Sequence, residues 1–177
     1  MAVEMVVESI RMNLLYPHRV VMLKEAKRER YLPIVIGVPE ADAIAIKIQG
    51  HEVPRPLTHD LLCNMIATLG GRVTQIVVND LSGETFFARI IMDVDGRHVE
   101  VDSRPSDAIA LAVRIGVPIF VDESVLEKGA LEPDESLERG QLRRGHPENT
   151  EEHVAEEQLG VFRDFINQLN LDDLGRR

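Results

Sequence analysis

Tryptophan is absent from this 177-residue chain, and aromatic residues make up only 4% of it. Proteins that hold single-stranded nucleic acid by stacking bases on rings need more aromatics, so no stacking platform is evident. Cysteine occurs once, as Cys63, which excludes an intrachain disulfide. Within the apolar helical pattern LLCNMI it reads as a buried thiol and not as a nucleophile. No stretch nears the ~20 apolar residues of a membrane-spanning helix. The opening MAVEMVVES lacks the basic start and apolar centre of a secretory signal. These absences predict a cytoplasmic protein with no membrane partner. A glycine-rich phosphate loop, a Ser-His-Asp ordering and Cys/His zinc spacing are missing as well. Positive charge is scarce: residues 1–120 carry 13 Lys/Arg against 15 Asp/Glu, and residues 121–177 carry 7 against 15. The acid excess belongs to the tail, and the first 120 residues are almost neutral. Non-specific phosphate binding rests on clustered cations, and these totals give it no support.

What is present is a repeat. Residues 31–46, YLPIVIGVPEADAIAI, run parallel to residues 96–111, GRHVEVDSRPSDAIAL, at an offset of 65. Asp42-Ala-Ile-Ala45 falls on Asp107-Ala-Ile-Ala110, and Ile34 and Ile36 fall on Val99 and Val101. The same offset places Val20-Val-Met-Leu23 over Thr85-Phe-Phe-Ala88. One offset shared by two strand-like runs and a helix implies a copied unit, and places where the copies differ are candidates for function.

Periodicity supplies the elements. Val3–Leu14 alternates as a half-buried strand, and Val20–Lys24 with Leu32–Ile36 forms a hairpin around the charged turn KEAKRER. Pro33 cannot donate to a ladder, so its strand belongs at an edge or a bulge. A first helix over Pro39–Gln49 is apolar on most sides and should be buried. A Pro-rich link, His51–Pro56, leads to a second helix over Thr58–Leu69, with Thr58 as its cap. The second copy contributes strands over Val73–Asn79, Thr85–Met92 and Arg97–Asp102, with a hairpin turn at Asp95-Gly96. A third helix follows over Pro105–Ile115, with proline where a missing N–H costs nothing. A short strand, Ile119–Val121, and a small helix near Ser124–Lys128 close the unit. The expected fold is α+β: a duplicated β-β-β-α unit with a mainly antiparallel or mixed sheet and buried helices. Residues 1–132 form that domain, 133–150 a polar linker, and 151–177 an acidic amphipathic helix. In that helix Val154, Phe162, Phe165, Ile166 and Leu169 share one face; alone it is marginal in water, so it is expected to dock within the oligomer first of all, on its own core domain, or on a protein partner when one arrives.

Two segments are distinctive: Arg55-Pro-Leu-Thr-His-Asp60 ahead of the second helix, and Asp102-Ser-Arg-Pro-Ser-Asp-Ala-Ile-Ala-Leu-Ala112. Both resemble signatures of the bifunctional nuclease domain family, over about residues 3–132, and the C-terminal FRDFINQLNLDDL resembles the short tail of bacterial members. The resemblance implies an α+β domain, a homo-oligomer with a dimer favoured, and hydrolysis of phosphodiester bonds in RNA and DNA. It implies no agreed set of catalytic residues.

The residues themselves must therefore provide candidates. His98, Glu100 and Asp102 share one strand face because side chains alternate with period two, and Pro33, Val35 and Gly37 are their featureless counterparts. Asp102 sits at the mouth of the third helix beside Arg104 and Asp107, where free N–H groups suit an anion. Glu100, Asp102 and Asp107 could hold Mg²⁺ or Mn²⁺, which activates water in phosphodiester cleavage. Arg104 would bind phosphate, as would Arg55, and His59 would assist proton transfer. The structural alternatives are a solvated strand face for His98 and Glu100, an Asp–Arg pair that fixes the turn, and Asp60 complementing a helix start. Lys24, Lys27, Arg28 and Arg30 supply four charges at an ordinary exposed hairpin tip. The rival function is a non-catalytic interaction or ligand-binding module, in which the DSRPSD turn is architectural.

Overall fold

Alternating apolar residues along seven segments build one sheet in this computed structural model, which describes residues 1–12 and 18–131. The expected linker at 133–150 and terminal helix at 151–177 lie outside the described residues. Three strands, β1 (Ala2–Met12), β2 (Arg19–Glu25) and β3 (Tyr31–Ile36), form an antiparallel meander followed by helix α1 (Val38–Ile48). Helix α2 (Thr58–Thr68) bridges to a second meander, β4 (Gly71–Ser82), β5 (Thr85–Val94) and β6 (Arg97–Ser103), followed by α3 (Pro105–Ile115). Strand β7 (Ile119–Asp122) and helix α4 (Glu123–Gly129) complete the chain of elements.

The sheet order is β3-β2-β1-β7-β4-β5-β6. The two meanders thus flank β7, which pairs antiparallel with β1 and parallel with β4. The sheet is mixed, as expected, and the element order β-β-β-α occurs in both halves. Ile34 and Ile36 belong to the core under the helices, while Val99 and Val101 pair with the core-facing Met92 and Ile90 on an edge strand where Val101 stays 42% exposed. Pro33 lies on β3, an edge strand, as its missing N–H donor predicts.

The four helices of the described residues cover one face. Val21, Leu23, Ile34, Ile76, Val78, Ala88, Ile90 and Val121 from the strands meet Ala41, Ile44, Val125, Leu126 and the apolar side of α3. Helix α3 is the centre of this layer, buried from Pro105 to Ala112 except at Asp107. Helix α1 departs from the sequence reading. It buries Ala41 and Ile44 but leaves Ile48 exposed, because it lies toward the β3 side of the layer and packs mainly on α3 and β2. Cys63 is half-buried, and burial pushes its thiol up, in keeping with a packing role.

The other sheet face carries no helix among the described residues. Val35 on β3 is 64% exposed, Val6 on β1 49% and Phe87 on β5 38%. The cations expected at the hairpin tip are mostly engaged internally. Lys24 pairs with Glu29, Arg28 reaches Glu25, and Arg30 binds Glu25 at 2.8 Å and Glu123 at 2.6 Å.

Candidate active site

The start of α3 is set by local chemistry. Arg104 is the extended N-cap residue, Pro105 opens the helix without wasting an N–H, and Asp107 places a carboxylate against the positive end of the dipole. Arg104 then folds back along its own turn. Its Nε donates to Asp107 Oδ2 at 2.7 Å and a terminal nitrogen donates to Oδ1 at 3.0 Å, a two-point fork. The other terminal nitrogen meets Glu40 of α1 at 3.1 Å.

Helix α2 brings the second component. Its N-cap is Leu57, not Thr58; the side chain of Asp60 accepts from the Leu57 N–H at 2.9 Å and replaces the expected threonine cap. Asp60 also accepts from Arg114 Nε at 2.7 Å, and Arg114 donates to the carbonyls of Ala110 and Ala43, each at 3.0 Å. Arg114 is a buried cation whose bonds tie α1, α2 and α3 together. His59, next to Asp60, is 8% exposed, and its Nε2 lies 3.0 Å from Asp107 Oδ1. Successive residues of α2 are therefore anchored to the first and last turns of α3.

Burial works against ionisation of Asp107, but the bonds from Arg104 and His59 outweigh it and hold the carboxyl below the usual aspartate range. An ionised carboxylate only accepts, so the histidine proton facing it belongs on Nε2. In the neutral ring Nδ1 is then an acceptor, and it is buried without a partner among the described residues. An unpartnered buried polar atom costs about 1–3 kcal/mol, which makes it a specific invitation to a donor. These groups line a cleft of about 530 Å³ between the starts of α1, α2 and α3, together with Pro39, Asp42 and Thr58.

Of the residues singled out in the sequence, the structure unites His59, Arg104 and Asp107 in this cleft. Glu100 and Asp102 are elsewhere. They lie opposite Ile91 and Arg89 in the β5–β6 register, hence on the sheet face turned away from the helices. Glu100 is exposed there, bound by Arg89 at 2.7 Å and His98 at 3.3 Å, and those bonds lower its pKa. Strand alternation, which suggested the His98–Glu100–Asp102 face, also directs it away from Asp107. Divalent cations such as Mg²⁺ need several converging oxygens. Among the described residues no three His, Cys, Asp or Glu side chains converge, and both Asp107 oxygens already accept hydrogen bonds. The donor set therefore does not fit the expected metal. Arg55 lies outside the cleft, in a neighbouring depression.

Two cleft residues were missed in the sequence. Glu40 is the partner that orients Arg104, and only the packing of α1 on α3 brings it there. Asp42 is the repeat equivalent of Asp107 in the sequence, and that equivalence is the available clue, since both line one cleft.

Residues 21–134 match the family model of the bifunctional nuclease domain. An uncharacterized protein of Mycobacterium tuberculosis is 44% identical over 155 residues, covering 87% of each chain. Bifunctional nuclease 2 of Oryza sativa subsp. japonica is 31% identical over 109 residues, 60% of this chain and 34% of that protein. Bifunctional nuclease 2 of Arabidopsis thaliana is 30% identical over 111 residues, again 60% and 34%. The chain thus spans about a third of the length of these plant relatives.

Proposed function

Because the chain belongs to the bifunctional nuclease domain family, we propose that it hydrolyses phosphodiester bonds in RNA and DNA, with His59 as the base. The observation that carries this reading is the Asp107-held imidazole whose Nδ1 has no partner. A hydroxyl donates its proton to Nδ1 as its oxygen attacks phosphorus, the bond to the leaving oxygen breaks, and the ring returns the proton to that oxygen. In DNA the hydroxyl is water; in RNA it is the adjacent 2′-OH, whose attack leaves a 2′,3′-cyclic phosphate that water opens in a second step with the same proton transfers. Asp107 fixes the tautomer and stabilises the imidazolium, so it acts as a positioning residue. Arg104 has used three of its five N–H donors and, at 65% side-chain exposure, keeps others for a phosphate oxygen. Nδ1 is closed to bulk water in the free protein, so surrounding side chains must shift to admit the substrate; catalytic hydrogen bonds commonly tighten only in the complex.

The test compares purified parent, His59→Gln and Asp107→Asn on labelled RNA and DNA, with and without chelator. Loss of the base should lower kcat by about 10²–10⁴. Asp107→Asn should lower kcat by about tenfold or more with little change in KM, as a wrong tautomer does. Full activity in both variants removes this site, and activity abolished by chelator in the parent contradicts the cation-independent chemistry.

A second reading, a non-catalytic interaction module, is favoured by the helix-free sheet face with Val35, Val6 and Phe87 exposed. On that reading a homodimer forms through this face, and a parent protein inert toward every nucleic acid supports it.

A further inference from the structure

The cleft around His59 has the wrong charge to recruit a polyanion. Glu40, Asp42 and Asp107 supply three carboxylates against the single guanidinium of Arg104, a net of −2 with histidine neutral. Arg104 is itself shared between two of those carboxylates. A strand whose reacting phosphate lies here must be held by contacts made elsewhere.

Immediately beside it is a depression of opposite sign. A cleft of about 310 Å³ is lined by Lys47, His51, Arg55, Asp60 and Arg114, with Ile46 and Pro56 common to both clefts. Asp60 and Arg114 neutralise each other at 2.7 Å and form its rigid floor, Arg114 being 5% exposed. Lys47 and Arg55 are left: among the described residues neither takes part in an ion pair. Lys47 lies near enough to help hold Asp60 ionised. Arg55 stands between Pro54 and Pro56, whose rings restrict the backbone that presents it. Less conformational freedom is then lost when it binds.

We propose that Lys47 and Arg55 form an anion subsite for a phosphate of the same polynucleotide strand, adjacent to the phosphate that reacts at His59. The strand crosses Pro56, anchored on the basic side and cut on the acidic side. Anchoring through phosphates carries no sequence information, so it suits a substrate class rather than one sequence. This subsite rests on the nuclease reading only for the identity of its ligand, a single-stranded phosphodiester chain.

The experiment measures binding of a short fluorescein-labelled single-stranded RNA to the full chain across a range of salt concentrations. Parent, His59→Gln and Lys47→Gln/Arg55→Gln are compared; both cations are exposed, so their replacement leaves the core intact. The double variant should bind about tenfold more weakly at low salt, and its log–log salt slope should be shallower by about 1. His59→Gln should keep the parental slope. Unchanged affinity and slope in the double variant overturns the subsite, even where His59→Gln abolishes cleavage. Normal salt-dependent binding by a parent that cuts nothing removes the catalytic reading and leaves the subsite standing. A parent that binds no RNA at any salt concentration overturns both.

Discussion

At the scale of single residues, the site is built from side chains that serve two partners at once. Asp107 holds both Arg104 and His59, and Asp60 holds both the Leu57 N–H and Arg114. Burial opposes ionisation of Asp60, but the bonds from Leu57 and Arg114 prevail and its pKa lies below the ordinary aspartate value. A carboxyl with a depressed folded-state pKa contributes stability above its unfolded value, near pH 4, and loses it as pH falls through the folded value. Asp60→Asn also leaves the buried Arg114 facing a neutral amide, at a cost of about 2–3 kcal/mol near neutrality. Thermal unfolding of parent and variant should therefore differ most at neutral pH, with the gap closing as the solution is acidified below about pH 4. A gap that stays constant across that range would show that the Asp60 charge does not matter. Of these pairings, the sequence exposed the Arg104–Asp107 turn, because three residues of one helical turn suffice to make it. The His59–Asp107 contact joins residues 48 apart in the chain, and no local pattern reports that α2 crosses the start of α3.

At the scale of elements, periodicity carried most of the fold. The hairpin strands, the edge position of Pro33 and the span Pro105–Ile115 follow from alternation, from proline's missing donor and from helix-start chemistry. Two features did not follow. Composition makes α1 apolar on most sides, whereas its neighbours fully bury only Ala41 and Ile44; an apolar helix shows what it can bury, not how much partner surface reaches it. Period two grouped Glu100 with Asp102 correctly, but it does not say which sheet face meets the helices. The outer face is also where the proposed homodimer would form. Val35 lies at one margin of that face, on the edge strand β3, and is 64% exposed. Sedimentation equilibrium should show a parent dimer and a Val35→Glu monomer, because a buried unpaired carboxylate disfavours the interface. A monomeric parent, or a variant that still dimerises, would place self-association elsewhere or remove it.

At the scale of the whole described domain, one strand, β7, lies between two β-β-β-α runs, and the helix layer gathers Asp42 and Asp107 around one cleft. A basic depression lies beside an acidic one, separated by Pro56. In the proposed division of labour, phosphate would be held on one side of the link and the proton moved on the other. The most direct measurement is two-dimensional NMR mapping of backbone amides while a phosphorothioate trinucleotide, resistant to cleavage and carrying two adjacent linkages, is added to the full chain. The account predicts concentration-dependent shifts concentrated in residues 39–60 and 104–107, with β3 and β6 unmoved. Shifts centred instead on residues 98–102, leaving His59 and Asp107 undisturbed, would contradict it.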